Sequence, residues 1–373
     1  MKILAIETSC DDTSVAIMDC DEKNWAIKTL SNVVSSQIAI HTKWGGVVPN
    51  LAAREHLKNL IPVLSEALEK SNQTINEIDL IAVTEGPGLI PALLIGTNGA
   101  KALAYTKNIA LLGVHHVEGH LYANIINNDI SQMKFPVLAL TVSGGHTQII
   151  LMKDHLNYEI IGQTQDDAAG EAFDKVAKML QLGYPGGPIV SEYAAKFDDA
   201  INSLKDSELK EELTCIKFPR PMLASGDFNF SFSGLKTSVL YFIRKIEQKN
   251  LSKEILELYK IAICYEFQNA AVDVLAKKMS KATEKLEPKT VIMAGGVSAN
   301  STLQNSLKNE ISKKYPSINF INPTIKLCGD NAAMIGAAAF VKYQKLKEEG
   351  SLKTLKANWK KLEANSNLKL ESY

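Results

Sequence analysis

The stretch LGVHHVEGHLYANII (Leu112 to Ile126) sets His116 and His120 four residues apart, in what reads as the opening turns of an amphipathic helix. Residues i and i+4 leave a helix at nearly the same angle, so two imidazoles at this spacing can share one ion. Two ligands rarely hold a metal, and a third donor has to come from elsewhere. LCGDNAAMIGAAA offers Asp330, just ahead of a helix of small residues. Taken alone, Asp330 reads better as a helix N-cap, because Asp accepts amide hydrogen bonds there. Taken with the histidines, it completes two imidazoles and one carboxylate with open positions for a substrate, a donor set that suits both catalytic zinc and non-haem iron.

The histidine pair also invites a metalloprotease reading, since zincins carry H-E-x-x-H. Here the carboxylate comes one residue later, in H-V-E-G-H. At 100° per residue, Glu118 points about 200° away from His116, which misplaces it as a general base. His115, one residue ahead of the pair, is off the shared face as well and reads either as structural or as a support behind the metal ligands.

These groups need a large scaffold, and the chain supplies one. Its 373 residues are 46% hydrophobic, enough for two domains or lobes at roughly 100 to 200 residues each. Lys+Arg and Asp+Glu both total 41, which excludes the overall basicity of a histone-like binder and leaves any basic patch to be assembled by the fold. The five cysteines are scattered and form no C-x-x-C pair, so neither a disulfide framework nor a zinc ribbon is indicated and a reducing cytoplasm is expected. No signal-like segment opens the chain and no apolar run is long enough for a bilayer, so a soluble, untargeted protein without membrane contact is expected.

The elements that carry the chemistry repeat. LAIETSCDDTSVAIM (Leu4 to Met18) and LALTVSGGHTQIILM (Leu138 to Met152) share five of fifteen positions, and each reads as strand, small polar turn, strand. The spacing predicts two similar lobes, each opening on a β-hairpin. DLIAVTEGPG and KTVIMAGGVSAN read as buried strands running into glycines and then a helix. Such a corner welcomes phosphate, because helix amides point at the anion, although Gly295 and Gly296 alone also suit an ordinary tight turn. No Walker motif occurs, which disfavours a P-loop enzyme. The segment Leu251 to Leu286 predicts a surface helix packed on the second lobe, and the Lys-, Asn- and Ser-rich tail from Leu346 to Tyr373 predicts a solvated helix or loop.

Ordered along nearly the whole chain are ETSCDDTSVAI, GGVVPNLAAREH, TEGPGL, HHVEGH, TVSGGHTQ, DDAAGEAFDKVAKMLQLGYPGGP, FSFSGLKTS, AGGVSAN and CGDNAAMIG. Together they resemble the tRNA adenosine threonylcarbamoyltransferases, once described as O-sialoglycoprotein endopeptidases, and WGGVVPNLAAREH looks like the bacterial form. The resemblance implies an α/β fold of two lobes around a cleft, of the actin, Hsp70 and sugar-kinase type. The implied division is a first lobe over 1–130 joined by a helix from about 330–345, a second lobe over 131–329, and a polar tail over 346–373.

The family moves a threonylcarbamoyl group from threonylcarbamoyl-AMP to the exocyclic amine of the adenosine 3′ of the anticodon, in tRNAs reading codons that begin with A. By resemblance, His116, His120 and Asp330 hold one divalent metal, Fe2+ by family preference with Zn2+ as the alternative. Thr141, Val142, Ser143, Gly144 and Gly145 form the substrate loop, and Asp174, Gly187 and Asn300 contact the adenylate part of the donor. Asp11, in the first hairpin turn, is the choice for positioning or deprotonating the amine, with Asp12 as its neighbour in that role. Both aspartates also suit a tight turn. Ser191 stands where some relatives carry an acid, and Trp44 where Tyr is common. Expected partners are the tRNA anticodon loop, a degenerate paralogue and a small ATPase. Two rivals share the fold: an ATP-dependent small-molecule kinase, which has no need of two imidazoles, and a nucleotide-dependent scaffold.

Overall fold

The computed structural model describes residues 1–126 and 130–371. Strands β1 (Lys2–Glu7) and β2 (Asp12–Asp21) form an antiparallel hairpin with Ile6 opposite Val15. Strand β3 (Ala26–Ser36) continues antiparallel on β2. The chain then crosses through helix α1 (Pro49–Ser71) to β4 (Leu80–Gly86), which runs parallel to β1. Helix α2 (Ile90–Lys107) returns it to β5 (Ala110–His115), parallel to β4. The sheet order is β3-β2-β1-β4-β5. The inner strands read as nearly unbroken apolar runs because helices cover both faces.

Immediately after β5 the short helix α3 (His116–Tyr122) leads toward the second sheet. There β6 (Val137–Val142), β7 (Thr147–Asp154) and β8 (Asn157–Gln163) are antiparallel neighbours. The helices that follow include α4 (Ala169–Met179), α5 (Gly186–Ala195), α6 (Ser233–Glu247) and the long α7 (Lys253–Leu286). Strand β9 (Thr290–Ala294) is parallel to β6, and α8 (Ser301–Lys314) leads to β10 (Asn319–Ile321), parallel to β9. The order β8-β7-β6-β9-β10 repeats the first sheet strand for strand. The duplication expected from two fifteen-residue segments therefore extends to the whole sheet topology, and the architecture is the two-lobed one that the resemblance implied. The expected boundary at 130/131 falls between the two sheets' strands, beside residues 127–129, which lie outside the described residues.

Helix α9 (Ala332–Glu348) joins the halves. From Ala332 to Val341 it is buried throughout, in a core shared with Ala5 and Ala16 of the first sheet and Val137, Ala139 and Ile292 of the second. Small side chains make this possible. At Gly336 a β-carbon would lie 2.2 Å from Met18 Sδ, so α9 meets the first hairpin at glycine distance.

Two expectations need correction, and a third needs an addition. Helix α3 is not amphipathic: every residue from His116 to Tyr122 is buried, between α9 and the second sheet. Helix α7 is not a surface helix, because most of its length is buried, Glu266 and Lys278 included. Glu266 takes Arg220 at 2.5 Å, and the Lys278 ammonium reaches Ser225 Oγ at 2.8 Å. The tail is solvated over most of its length, as expected, but it is tied to the first half at a few points. Leu355 and Leu362 are buried, Asn365 N–H donates to Glu85 O at 2.8 Å, and Lys101 Nζ donates to Leu362 O at 3.1 Å. Residues 372–373 lie outside the described residues. Among the described residues no helix is long and apolar enough to cross a membrane.

Candidate metal centre and its cleft

The end of β5 fixes the histidine pair. His115 caps α3, its Nδ1 accepting from Val117 N–H at 3.1 Å, while its Nε2 faces Leu368 O in the tail at 3.1 Å. Burial pushes its pKa down to about 3, so it stays neutral and structural, as expected. One residue on, His116 and His120 stand with ring centroids 4.7 Å apart and planes at 84°. Asp330 Oδ1 lies 3.6 Å from His116 Nε2 and 3.2 Å from His120 Nε2. One ligand atom from each of the three residues can be chosen so that all lie within 4.8 Å of one another.

The helix-cap reading of Asp330 is set aside by its neighbour. Asn331 is the N-cap of α9, its Oδ1 accepting from Met334 N–H at 3.2 Å, which leaves the Asp330 carboxylate to the histidines. Behind them stands a group that sequence reasoning missed. Glu7, wholly buried at the end of β1, places Oε2 3.1 Å from His116 Nδ1 and accepts from Thr84 Oγ1 at 2.6 Å and from Ser9 N–H. A carboxylate on the far nitrogen fixes the ring's orientation and raises its basicity as a ligand. The one local sign was an ionisable residue closing an otherwise apolar strand.

Electrostatics bind the cluster together. Burial opposes a charge on His116, but Asp330 and Glu7 outweigh it and push its pKa up to about 9. Burial likewise works against the Asp330 carboxylate, yet His116 and His120 hold it well below the usual carboxylate range. Among the described residues both buried ring nitrogens of His120 lack a hydrogen-bond partner, and Nε2 faces the Asp330 oxygen. An orphaned imidazole nitrogen aimed at a carboxylate, beside a second imidazole oriented by Glu7, fits a divalent ion with nitrogen and oxygen preference. Glu118 is elsewhere, accepting from His115 N–H at 3.4 Å with Lys342 nearby, which removes the protease base.

The second hairpin turn meets this cluster. Ser143 N–H donates to His146 O at 2.8 Å and His146 N–H returns to Ser143 Oγ at 3.1 Å, closing the turn tightly. Burial lowers the pKa of His146 to about 4, and His116 and His120 contribute to the shift, so the turn is within electrostatic reach of the pair. Gly144 and Gly145 face open space, and their N–H groups have no acceptor among the described residues. Thr141 Oγ1 is buried without a partner among the described residues. Two glycines press the loop into place from behind: a β-carbon on Gly170 would lie 2.6 Å from Ser143 O, and one on Gly295, at φ +86°, 2.5 Å from Val142 O.

Asp174, Gly187, Ser191 and Asn300 form one hydrogen-bonded strip. Asp174 Oδ1 accepts from Gly186 N–H at 2.6 Å at the start of α5. Ser191 Oγ donates to Gly187 O at 3.0 Å and accepts from Asn300 Nδ2 at 2.9 Å. Asn300 also donates to Gln268 Oε1 at 2.9 Å and caps α8 through Leu303 N–H at 2.9 Å. Its amide is thus already engaged in the strip, and Gln268, unforeseen in the sequence, supports it from α7.

Asp11 lies in the first hairpin turn. Its carbonyl accepts from Gln37 N–H at 3.0 Å, and His56 of α1 steadies the turn through Thr13 Oγ1 at 2.8 Å and Cys10 O at 3.0 Å. Burial, helped by Asp330, raises the Asp11 carboxyl. Burial pushes Asp12 up to about 7, and its Oδ1 is buried without a partner among the described residues. After burial, Asp11 and then Asp174 are the main influences that raise the Tyr184 hydroxyl, so this tyrosine lies within reach of both halves. A cavity of about 380 Å³ lined by Met179, Ile243, Leu256 and Tyr259 includes none of these groups.

A family model described as tRNA N6-adenosine threonylcarbamoyltransferase matches residues 28–337. A curated relative of that description from Bacillus subtilis (strain 168) is 45% identical over 345 residues, covering 92% of this chain and 91% of its own. Another, from Thermosipho africanus (strain TCF52B), is 47% identical over 345 residues, covering 92% and 95%. A crystal structure of HypF from T. kodakarensis superposes with a TM-score of 0.52 at 12% identity, over 93% of this chain and 48% of that one, a likeness of fold.

Proposed function

The chain belongs to the tRNA N6-adenosine threonylcarbamoyltransferase family, and on that footing we propose that it transfers a threonylcarbamoyl group from threonylcarbamoyl-AMP to the exocyclic amine of the adenosine 3′ of the anticodon, in tRNAs reading codons that begin with A. One observation carries the reading: the His–His–Asp cluster lies within electrostatic reach of both the glycine turn, through His146, and the Asp11 turn.

In the transfer, the adenine nitrogen forms a bond to the carbamoyl carbon, the bond from that carbon to the phosphate oxygen breaks, and AMP leaves. The amine proton must go to a base. Asp11 takes that part, because a carboxyl raised by burial is a better proton acceptor than an exposed one. The Gly144 and Gly145 amides suit the donor's anionic oxygens, and Thr141, Val142 and Ser143 hold that turn in shape. Asp174, backed by Gly187 and Asn300, keeps acceptor capacity for ribose hydroxyls. His116, His120 and Asp330 would hold one divalent ion, Fe2+ by family preference with Zn2+ as the alternative, which when bound supplies Lewis-acid polarisation of the donor's oxygens.

The reading puts this work in the cytoplasm, in company with a degenerate paralogue and a small ATPase. Nucleoside mass spectrometry of tRNA from cells depleted of the protein tests it. Threonylcarbamoyladenosine should fall in step with the protein, and an unchanged level would contradict the proposal.

A further inference from the structure

The segment that follows β3 bridges the cleft. It leaves Asp11 through the Gln37 N–H, and His41 closes it by accepting from Val48 N–H at 3.3 Å through Nδ1 while Nε2 meets Gln37 Oε1 at 3.1 Å. At its far side, Thr42 Oγ1 donates to Ile38 O at 2.7 Å and reaches Tyr184 O of the second half at 3.2 Å. The next residues are Lys43 and Trp44, and Gly45 turns the chain at φ +65°. A β-carbon on Gly45 would lie 3.8 Å from Lys178 Nζ, so the α4 lysine folds over the same turn.

Trp44 is 66% exposed. The other two tryptophans have ring partners, Trp25 against His155 and Phe340 and Trp359 against Tyr105, whereas Trp44 has none among the described residues. Lys43 and Lys178 are exposed and form no ion pair among the described residues. An exposed indole that follows Lys43 in the chain, at a turn that Lys178 of the other half overhangs, and without a ring partner among the described residues, has little to gain from water. That chemistry matches a single-stranded nucleic acid, whose bases stack on aromatic faces while its phosphates meet lysines. A protein surface would ask instead for an apolar patch, such as Leu57 and Ile61 present on α1.

We propose that Trp44, Lys43 and Lys178 form an anticodon-loop contact, in which the indole stacks on an unpaired base and the two ammonium groups meet the flanking phosphates. The contact rests on the proposed function only for the identity of the RNA. It holds the loop over Asp11 and takes no part in the chemistry, so its loss weakens binding of the nucleic acid and leaves the donor side intact. A rigid hold is available because the bridge is tied at Asp11, His41 and Tyr184 on either side of the indole.

The test titrates the full chain with an anticodon stem-loop RNA while following tryptophan fluorescence, then measures transfer kinetics. Stacking should quench the wild-type signal, and Trp44→Leu should abolish that quench. Trp44→Ala should raise KM for tRNA about tenfold, within what base stacking contributes, with kcat changed by less than about twofold, and Trp44→Tyr should restore KM. Lys43→Gln and Lys178→Gln should each lower the slope of log affinity against log salt by about 0.7. No quench by RNA, or an unchanged KM in Trp44→Ala, would overturn the contact, as would a defect seen only when partner proteins are added. An RNA that quenches but receives no threonylcarbamoyl group would sustain the contact and count against the proposed function.

Discussion

Asp330 Oδ1, carried at the entrance to α9, lies 3.2 Å from His120 Nε2 in α3. Nothing local in the chain brings them together. The approach depends on α9 being built of residues small enough to lie between the sheets, with Gly336 against Met18 and Gly119 against Ile335.

His116→Ala, His120→Ala and Asp330→Ala should each lose the bound metal, because one of three protein ligands is gone. Elemental analysis of purified variants checks this. Asp330→Ala should keep its helix and melt within a few degrees of the parent, since Asn331 does the capping. Full metal occupancy in that variant would remove Asp330 from the site.

Glu7→Gln should weaken metal binding by about 10- to 100-fold, the usual cost of losing an orienting partner behind a metal-binding imidazole. A chelator competition gives the number. An affinity equal to the parent's would reduce Glu7 to a packing role.

Asp12 gives a pH signature. Its folded pKa of about 7 lies above the ordinary 3.8, so the folded state holds the proton more tightly than the unfolded one. Its contribution to stability is therefore fully present below about pH 4 and is lost as pH rises through 7. Asp12→Asn should raise the melting temperature at pH 8 by roughly 2 °C or more and leave it unchanged at pH 4. Thermal melts at both values decide it, and equal shifts would show that Asp12 is ionised in the fold.

Asp11→Ala should keep its metal and bind threonylcarbamoyl-AMP normally while transferring the group about 10² to 10⁴ times more slowly at saturating donor, the range for a lost general base. Single-turnover transfer beside direct donor binding separates the two. Parallel losses in both would make Asp11 a donor contact.

Much of this was legible where the signal is local. His116 and His120 declare themselves by one helical turn, and the repeated hairpins by strand and turn patterns within fifteen residues. Glu7, His146 and Tyr184 were not, because each matters through partners far along the chain and none has a periodicity to betray it. The surface-helix reading of α7 missed that Glu266 and Lys278 are buried and paired in the interior. In the tail the surrounding lysines masked Leu355 and Leu362, two anchors seven residues apart in an otherwise solvated segment.

The central claim is tested most directly by incubating the purified protein, with its partners, with threonylcarbamoyl-AMP and an unmodified tRNA reading a codon that begins with A, then mapping the product by mass spectrometry. The account predicts one threonylcarbamoyl group on the adenosine 3′ of the anticodon, lost in Asp11→Ala and in the metal-ligand variants. Unmodified tRNA from a metal-loaded, donor-bound protein, or a group attached at another nucleotide, would contradict it.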